Sequence, residues 1–483
     1  MEFESVIGLE VHVQLSTASK MFCSSSAIFG AEPNEHIDPY TLALPGALPV
    51  ANVKAVESAI MLGLALGCEI RRENCFARKH YFYPDLPKGY QISQFEEPIC
   101  EKGSITIEVN GGTRVIGITR IHMEEDAGKN IHDTKTHSSL VDLNRAGVPL
   151  LEIVSEPDIS TPEEAGAYLR ALRQIVRWLG ISDGNMEEGS LRCDANISLR
   201  PVGSLKFGVR TEIKNMNSFK HVERAISYEI ARQTAVLKSS KEVILETRLY
   251  DPDTGATHTM RGKEESADYR YFPDPDLPPL CIEESWIAAV AAKMPKLPME
   301  KRAELVSKYG LNDYDAGVLT AERLTVEYFE EVQKVCGNPK AACNWMTTEL
   351  FGALRKSGLD IDKSPVSAKC LGKLVRIIEE DVINGKIAKS VFQEMFETGQ
   401  SPEIIVNSKG LKQLDDDELI QKAVTRAFEE NVQQAQDFVK GNDRLLGFFV
   451  GQVMKLTGGS ANPKKVNQLI QSEVERRRHE GRM

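Results

Sequence analysis

The sequence predicts an α+β protein. An antiparallel, sheet-rich N-terminal domain is followed by an all-helical domain and a small helical tail. Residues 2–279 contain short alternating runs broken by Gly, Pro and Asn, which is typical of strands joined by turns. Residues 295–400 show long helical periods, such as 366–381, and no strand pattern. A Pro-Lys-Leu-Pro stretch at 295–298 predicts the first linker. We therefore place the domains at 1–293, 294–405 and 406–483.

Composition and charge limit the classes of protein to which this chain can belong. Its 483 residues include 59 basic and 70 acidic side chains, and the net charge of −11 argues against nonspecific binding of nucleic acid by the whole surface. A local basic face remains compatible with RNA binding. The longest nearly apolar run, residues 59–68, is about half of the roughly 20 residues that a membrane span needs. The acidic N-terminus lacks the features of a signal peptide. We therefore expect a cytoplasmic protein with no membrane partner.

Several common cofactor motifs are absent from the sequence. The nine cysteines are scattered, with no CxxC motif and no paired spacing, which favours reduced thiols over a disulfide framework or a zinc site. No GxxxxGK[ST] motif and no strand-to-helix GxGxxG motif is present. Any ATP site is therefore neither a P-loop nor a dinucleotide fold.

The first predicted strand has one apolar and one polar face. Its apolar residues share one parity, and they are Ile7, Leu9, Val11, Val13 and Leu15. Because a strand alternates its faces with period two, Glu10, His12 and Gln14 lie together on the other face. From this strand alone, a polar face that is merely solvated is the favoured interpretation.

A second segment predicts an antiparallel hairpin. Residues 191–199 alternate, residues 200–204 provide a turn, and residues 209–214 alternate less strictly. One face of this hairpin carries Arg192, Asp194, Asn196, Arg210, Glu212 and Lys214. Cross-strand salt bridges are a sufficient structural explanation. The same mixture suits a metal–nucleotide site, because carboxylates hold hard cations and basic side chains neutralise phosphate.

Two further segments carry charged and aromatic side chains. Glu124, Glu125 and Asp126 follow an apolar strand and end in a glycine turn. Carboxylates at a strand end are well placed to hold magnesium, although most acidic runs are solvated loops. Residues 78–94 interleave basic and aromatic side chains. That composition suits phosphate pairing and base stacking, or an ordinary loop that packs on the sheet.

These segments resemble the B subunits of the aspartyl/glutamyl-tRNA(Asn/Gln) amidotransferases, the GatB/GatE family. The opening signature is VIGLEVHVQL at residues 6–15. Further matching segments follow in the family's order, at residues 44–50, 78–84, 91–94, 122–128, 141–145, 187–196, 214–218, 268–276, 314–316 and 451–455. The resemblance therefore covers nearly the whole chain.

The resemblance implies a fold and an activity. The N-terminal domain corresponds to the family's cradle, and the tail is similar to the YqeY family. The implied enzyme is a ligase that uses ATP and Mg²⁺ to phosphorylate the side-chain carboxylate of Glu-tRNA(Gln), Asp-tRNA(Asn) or both. Ammonia from the GatA amidase subunit then displaces phosphate, in a heterotrimer completed by GatC. One alternative is a non-catalytic scaffold that docks tRNA in the same complex, although a scaffold does not need three acidic clusters. A second alternative is a free-standing ligase that joins free ammonia to a small carboxylic acid, which the tail and the multi-domain length disfavour.

The resemblance also implies roles for particular residues. Matching positions assign catalysis to Glu10, His12, Glu125 and Glu212, and metal binding to Glu10, His12, Glu124, Glu125 and Glu212. Weaker matches assign contacts with the nucleotide or the acceptor end to Lys79, Lys88, Ser93, Asp194, Asn196 and Lys214. His12 is unusual in this set, because magnesium prefers oxygen ligands.

One segment departs from the family. Many members carry four cysteines that form a zinc knuckle after the position of Lys20, whereas here only Cys23 is present. One thiolate cannot complete the tetrahedral site that zinc prefers. We therefore expect no zinc in this chain.

The tail carries a local positive charge. From Arg444 to the end there are eight basic and three acidic residues, a local charge of +5. Such a face on an acidic protein predicts tRNA binding through the tail. The alternative is that the terminal arginines only stabilise the C-terminal end of a helix through its dipole.

Overall fold

The structure, a computed structural model, describes residues 2–133, 138–262, 269–411, 417–458 and 461–479. Asp268, which begins one segment of the family resemblance, and the tail residues Glu480 and Arg482 lie outside the described residues. The chain divides into two compact units, Met1–Pro298 and Met299–Met483. The predicted boundary near residue 405 stays a prediction.

A nine-stranded sheet forms the centre of the first unit, in the order β14-β13-β12-β11-β1-β10-β7-β6-β2. Its strands are β1 (Phe3–Gln14), β2 (Glu69–Ile70), β6 (Cys100–Val109), β7 (Gly112–Glu125), β10 (Pro149–Ser155), β11 (Leu191–Pro201), β12 (Thr211–Lys214), β13 (Glu246–Tyr250) and β14 (Thr257–Gly262). Neighbouring strands pair antiparallel, except that β12 and β13 pair parallel. The predicted antiparallel pairing of β11 and β12 is confirmed, with Ala195 opposite Ile213. The predicted turn is wrong in its bounds, because β11 continues to Pro201 and β12 begins only at Thr211, which leaves residues 209–210 outside the strand.

Three small sheets complete the strands of this unit. One has the order β15-β4-β5, and the others are the pairs β16-β3 and β8-β9. Their strands are β3 (Glu73–Asn74), β4 (Ala77–His80), β5 (Tyr90–Ser93), β8 (Lys129–Asp133), β9 (Ser138–Asp142), β15 (Phe272–Pro273) and β16 (Leu280–Cys281). The basic and aromatic segment at residues 78–94 thus covers most of β4, all of β5 and the loop between them.

Three helices pack on the apolar face of the large sheet, and they are α1 (Val53–Ala65), α2 (Pro162–Trp178) and α3 (Phe219–Lys238). A fourth helix of this unit, α4 (Glu284–Ala291), packs against α1. Thr161 caps α2 by accepting a hydrogen bond from the Glu164 amide, and Ser218 caps α3 in the same way. Ile7, Leu9, Val11 and Val13 of β1 are fully buried in the core that these helices share with the sheet. The predicted parity of the first strand is therefore confirmed.

The described residues of the second unit form helices and no strand. The helices are α5 (Pro298–Tyr309), α6 (Asp313–Leu319), α7 (Arg323–Cys336), α8 (Pro339–Trp345), α9 (Phe351–Ser357), α10 (Ala368–Glu379), α11 (Gly385–Thr398), α12 (Pro402–Ser408), α13 (Asp417–Glu430), α14 (Val432–Val439), α15 (Leu446–Leu456) and α16 (Pro463–His479). A π-helical turn, Met346–Leu350, joins α8 to α9. The helical period at 366–381 corresponds to α10, which begins after its cap Ser367. The predicted fold class is confirmed.

Helices α13–α16 share a hydrophobic core of their own, which includes Ile420, Phe428, Phe449 and Ile470. In the part of the chain that the structure describes, no helix is long and apolar enough to span a bilayer.

Candidate metal and nucleotide site

Polar side chains of four neighbouring strands form a row across the large sheet. His12 on β1 lies opposite Arg192 on β11 and opposite Glu152 on β10. Glu152 in turn lies opposite His122 on β7. Because directly opposed residues of paired strands share a face, the order Arg192, His12, Glu152, His122 crosses the polar face of the sheet.

The centre of this row is a compact group of carboxylates and imidazoles. The Oε2 atom of Glu152 lies 3.2 Å from His12 Nε2 and 3.3 Å from His122 Nε2. His122 Nε2 also lies 3.2 Å from Glu124 Oε1. One ligand atom each of His12, Glu124 and Glu152 lies within 4.8 Å of the others, and no second group of this kind occurs among the described residues. We call His12, Glu124 and Glu152 the cation group.

The charges in this group stabilise one another. Burial opposes charge on Glu152, but His122 and His12 outweigh burial and hold the pKa of Glu152 well below its usual range. His122 and Lys79 likewise outweigh burial at Glu124 and lower its pKa. Burial also opposes charge on His122, but Glu152 and Glu124 raise its pKa to about 9. The carboxylates are therefore ionised, and a metal ion bound at this group would displace the imidazolium protons.

A second polar cluster lies on β1, β11 and β12. The Lys214 ammonium contacts the Asp194 carboxylate and lies 2.8 Å from Glu212 Oε1. Asn196 Nδ2 donates to Glu10 Oε1 at 2.9 Å. Burial raises the pKa of Glu10, and the nearby carboxylates of Glu152, Glu212 and Asp194 raise it further. Glu10 thus lies between this cluster and the cation group, where a bound cation would relieve the repulsion.

The small sheet that contains β4 and β5 supplies further neighbours of the cation group. Ser93 Oγ donates to Glu124 Oε1 at 2.5 Å, and Gln91 Nε2 lies 3.2 Å from Glu124 Oε2. The Lys79 ammonium lies 5.0 Å from the centre of the Tyr269 ring. Burial lowers the pKa of Lys79, but Glu124 and other neighbours raise it overall. Lys79 therefore stays charged beside the cation group, where it can bind an anionic ligand.

Two predicted site residues contact each other outside the cation group. The Lys88 ammonium pairs with Glu125, and its Nζ atom also donates to the Tyr40 hydroxyl at 2.8 Å. Glu125 accepts a further hydrogen bond from the Ile92 amide at 3.0 Å and is almost fully buried. The structure therefore brings Glu10, His12, Glu124, Lys79 and Ser93 close together, whereas Glu125 pairs with Lys88.

Sequence reasoning missed Glu152. It is the only charged residue of β10, whose sequence is PLLEIVS, and six of the seven residues of β10 are buried. A lone carboxylate in an apolar strand is rarely buried without partners. That signal was available in the sequence, although it could not show which imidazoles lie beside Glu152.

The arginines at the end of the tail are engaged within their own unit. The guanidinium groups of Arg476 and Arg477 both lie 2.7 Å from Glu473 Oε1. Glu473 is only 2% exposed. Arg478 Nε donates to the Val439 carbonyl at 2.8 Å. This run therefore stabilises the packing of α16, and tRNA binding by the tail stays a prediction.

Comparison with known proteins agrees with the sequence motifs. Residues 5–288 match the profile described as the GatB/GatE catalytic domain, and residues 327–474 match the Yqey profile described as the GatB domain. The B subunit of the aspartyl/glutamyl-tRNA(Asn/Gln) amidotransferase of Thermodesulfovibrio yellowstonii is 53% identical over 470 residues, or 97% of this chain and 99% of that protein. The corresponding B subunit of Trichlorobacter lovleyi is 54% identical over 474 residues, or 98% and 100% of the two chains. The chain therefore belongs to the GatB/GatE family, the B subunits of the aspartyl/glutamyl-tRNA(Asn/Gln) amidotransferases.

Proposed function

We propose that this chain activates the side-chain carboxylate of Glu-tRNA(Gln), Asp-tRNA(Asn) or both, by phosphorylation with ATP and Mg²⁺ in the cytoplasm. A carboxylate is a poor electrophile, and phosphorylation supplies a leaving group. Ammonia from a GatA amidase subunit then displaces phosphate, and GatC completes the heterotrimer. The names of the relatives, which describe them as B subunits of an amidotransferase, support this assignment.

The cation group carries the proposal. Glu124 and Glu152 offer oxygen ligands of the kind that Mg²⁺ prefers, and His12 offers one nitrogen. Mn²⁺ accepts both kinds of ligand, so these residues fit a small divalent cation. Glu10 lies close enough to Glu152 for the charge of that carboxylate to raise the pKa of Glu10. Glu10 is therefore a further carboxylate ligand for the same ion. When bound, the ion neutralises charge on the phosphoryl oxygens that are transferred.

The chain's own side chains provide the remaining electrostatics. Lys79 is charged and lies close enough to Glu124 for the two pKa values to depend on each other. It can therefore neutralise a phosphate oxygen next to the cation group. Ser93 and Asn196 donate to Glu124 and Glu10, which holds these carboxylates in place without adding charge. Lys214 is held by Asp194 and Glu212, where it offers a second positive charge.

The decisive experiment measures ATP hydrolysis by the native complex with mischarged tRNA. Glu-tRNA(Gln) and Asp-tRNA(Asn) are supplied separately, so that the same assay identifies the substrate. Glu152→Gln should reduce tRNA-dependent phosphate release on the order of a thousandfold, because a ligand of the cation is lost. Glu69→Gln is a matched control, since Glu69 lies on the edge strand β2, its carboxylate pairs with Lys102 of β6, and both side chains are exposed.

The outcomes separate the proposal from its alternative. A non-catalytic scaffold predicts that mischarged tRNA binds but does not stimulate ATP hydrolysis. Wild-type rates in the Glu152→Gln complex would show that the cation group is not the active site.

A further inference from the structure

Arg192 lies at the edge of the cation group and is held by a buried carboxylate. Its Nη2 atom lies 2.6 Å from Asp126 Oδ2, and Gln14 Nε2 donates to the same oxygen at 2.6 Å. The Asp126 side chain is 4% exposed, whereas that of Arg192 is 36% exposed. We propose that Arg192 binds a phosphate oxygen of the nucleoside triphosphate and that Asp126 is its positioning residue. This inference rests on the function proposed above.

The sheet register places Arg192 beside the ligand. Arg192 is opposite His12, and His12 is opposite Glu152. Directly opposed residues of antiparallel strands have Cα atoms about 5 Å apart. A phosphate chain that is held at the cation group by its metal is therefore within reach of the long Arg192 side chain.

Arg192 carries more N–H donors than its contact with Asp126 uses. A guanidinium carries five N–H donors in a planar fork, which matches two oxygens of a phosphate. The Nη2 atom of Arg192 is bound to Asp126, while the side chain as a whole is 36% exposed and is therefore accessible to a ligand.

Asp126 differs in role from the two acidic residues that precede it. It is absent from the cation group, and its side chain accepts hydrogen bonds from Arg192, Gln14 and the Ala127 amide and lies 3.7 Å from the guanidinium of Arg145. Asp126 is thus a buried carboxylate that faces two guanidinium groups of the protein. Such a carboxylate orients the guanidinium of Arg192, and Arg192 itself contacts the ligand.

Equilibrium binding tests the inference without requiring turnover. The full chain is titrated with the Mg²⁺ complex of adenylyl imidodiphosphate and, separately, with AMP. Arg192→Ala should weaken binding of the triphosphate analogue about ten- to hundredfold, the range expected for a hydrogen bond to a charged group. AMP affinity should change much less. Added guanidinium ion should restore part of the lost affinity, which would not occur if Arg192 only supported the fold.

Matched variants complete the experiment. Arg200→Ala removes another arginine from the same face of β11, where it pairs with Glu4 at 2.6 Å, and should bind like the wild type. Asp126→Asn should give a smaller loss that guanidinium does not restore. If Arg192→Ala fails to fold, Arg192→Lys retains the charge but loses the fork, and it should bind the triphosphate analogue several-fold more weakly.

The possible failures are distinguishable. Wild-type affinity in Arg192→Ala, or in Arg192→Lys where only that variant folds, overturns the inference while the proposed function stands. A wild-type chain that binds no triphosphate analogue overturns both. Equal losses in Arg192→Ala and Arg200→Ala would show a general effect of charge and also count against the inference.

Discussion

Glu124 and Glu125 are neighbours in the sequence, but their carboxylates lie on opposite sides of β7 and have different partners. Glu124 lies 3.2 Å from His122 Nε2 and accepts a hydrogen bond from Ser93. Glu125 pairs with the Lys88 ammonium and accepts a hydrogen bond from the Ile92 amide. Successive residues of a strand point to opposite faces, so a run of acidic residues on one strand does not converge on one ion.

This relationship predicts different defects for two similar substitutions. Glu124→Gln removes a charge from the cation group and should reduce tRNA-dependent phosphate release on the order of a thousandfold. Glu125→Gln leaves the ammonium of Lys88, whose side chain is only 9% exposed, without its carboxylate. It should lower the free energy of unfolding by about 3 kcal/mol. Urea unfolding and phosphate release measure the two effects. Full stability together with lost activity in Glu125→Gln would support its predicted role as a metal ligand.

A second prediction concerns Glu212, whose carboxylate lies 2.8 Å from Lys214 Nζ and accepts a hydrogen bond from Thr247. Glu212→Gln removes one of the two carboxylates that hold Lys214. If the lysine binds phosphate, the Michaelis constant for ATP should change more than it does in Thr247→Val, which removes only the hydroxyl donor. Identical kinetics in Glu212→Gln and the wild type would show that Glu212 has no role in the site.

The histidine beside the cation group predicts how stability depends on pH. The pKa of His122 is raised to about 9 in the folded chain from the usual 6.5, so folding favours the protonated form. Its contribution is fully present below about pH 6.5 and is lost as pH rises through about 9. The loss is on the order of 3 kcal/mol for a shift of this size.

Urea unfolding in the presence of a chelator, at about pH 6.5 and pH 9, measures this loss. A chelator is needed because a bound cation would compete for the same carboxylates. His122→Gln provides the control, since it cannot be protonated, and its stability should change less between the two pH values. Parallel pH profiles for the two proteins would contradict the prediction.

Zinc content is a further test. The Lys20 ammonium donates hydrogen bonds to the carbonyls of His36, at 2.6 Å, and Leu143, at 3.2 Å. These bonds hold the loop after Lys20 in place. Asn144 Nδ2 also donates to the Glu32 carbonyl at 2.7 Å. These contacts explain how the loop is held with Cys23 as its only thiol. Elemental analysis should find no stoichiometric zinc, and chelation should leave the melting temperature unchanged. About one zinc per chain after mild chelation would refute the expectation.

The predicted tRNA-binding role of the tail can be tested by truncation. Because Arg476, Arg477 and Arg478 are engaged within the unit, contacts with phosphate would depend on other cations. Candidates among the exposed lysines of the tail helices are Lys422, Lys440 and Lys455. Lys464 is also exposed, but it pairs with Asp381 at 3.0 Å. Deletion from Gly410 onward should weaken tRNA binding by the complex about tenfold or more and reduce its salt dependence.

Nucleotide binding in the first unit is the control, and it should survive the deletion. Replacement of the three lysines with alanine should lower the salt slope without unfolding the tail. Unchanged tRNA affinity after truncation would exclude the tail from RNA binding.

The sequence by itself determined the faces of the main strands and the class of the fold. The parity of Ile7 to Val13 and the alternation of residues 191–199 are local patterns, and burial of one face follows directly from them. The helical period at 366–381 predicted α10 in the same way. The ordered motifs also identified the family, which the profile matches confirm.

Only the tertiary structure decided which polar side chains meet. Glu152 enters the cation group because β10 pairs between β1 and β7, which brings it beside His12, a residue far away in the sequence. Tertiary packing also decides that Glu125 forms an ion pair with Lys88 and that Glu473 pairs with the arginines of the tail. A local pattern shows which face a side chain occupies, but it cannot show which strand lies next to it. Strand order and register depend on non-local pairing, and the contacts of a site across several strands depend on them in turn.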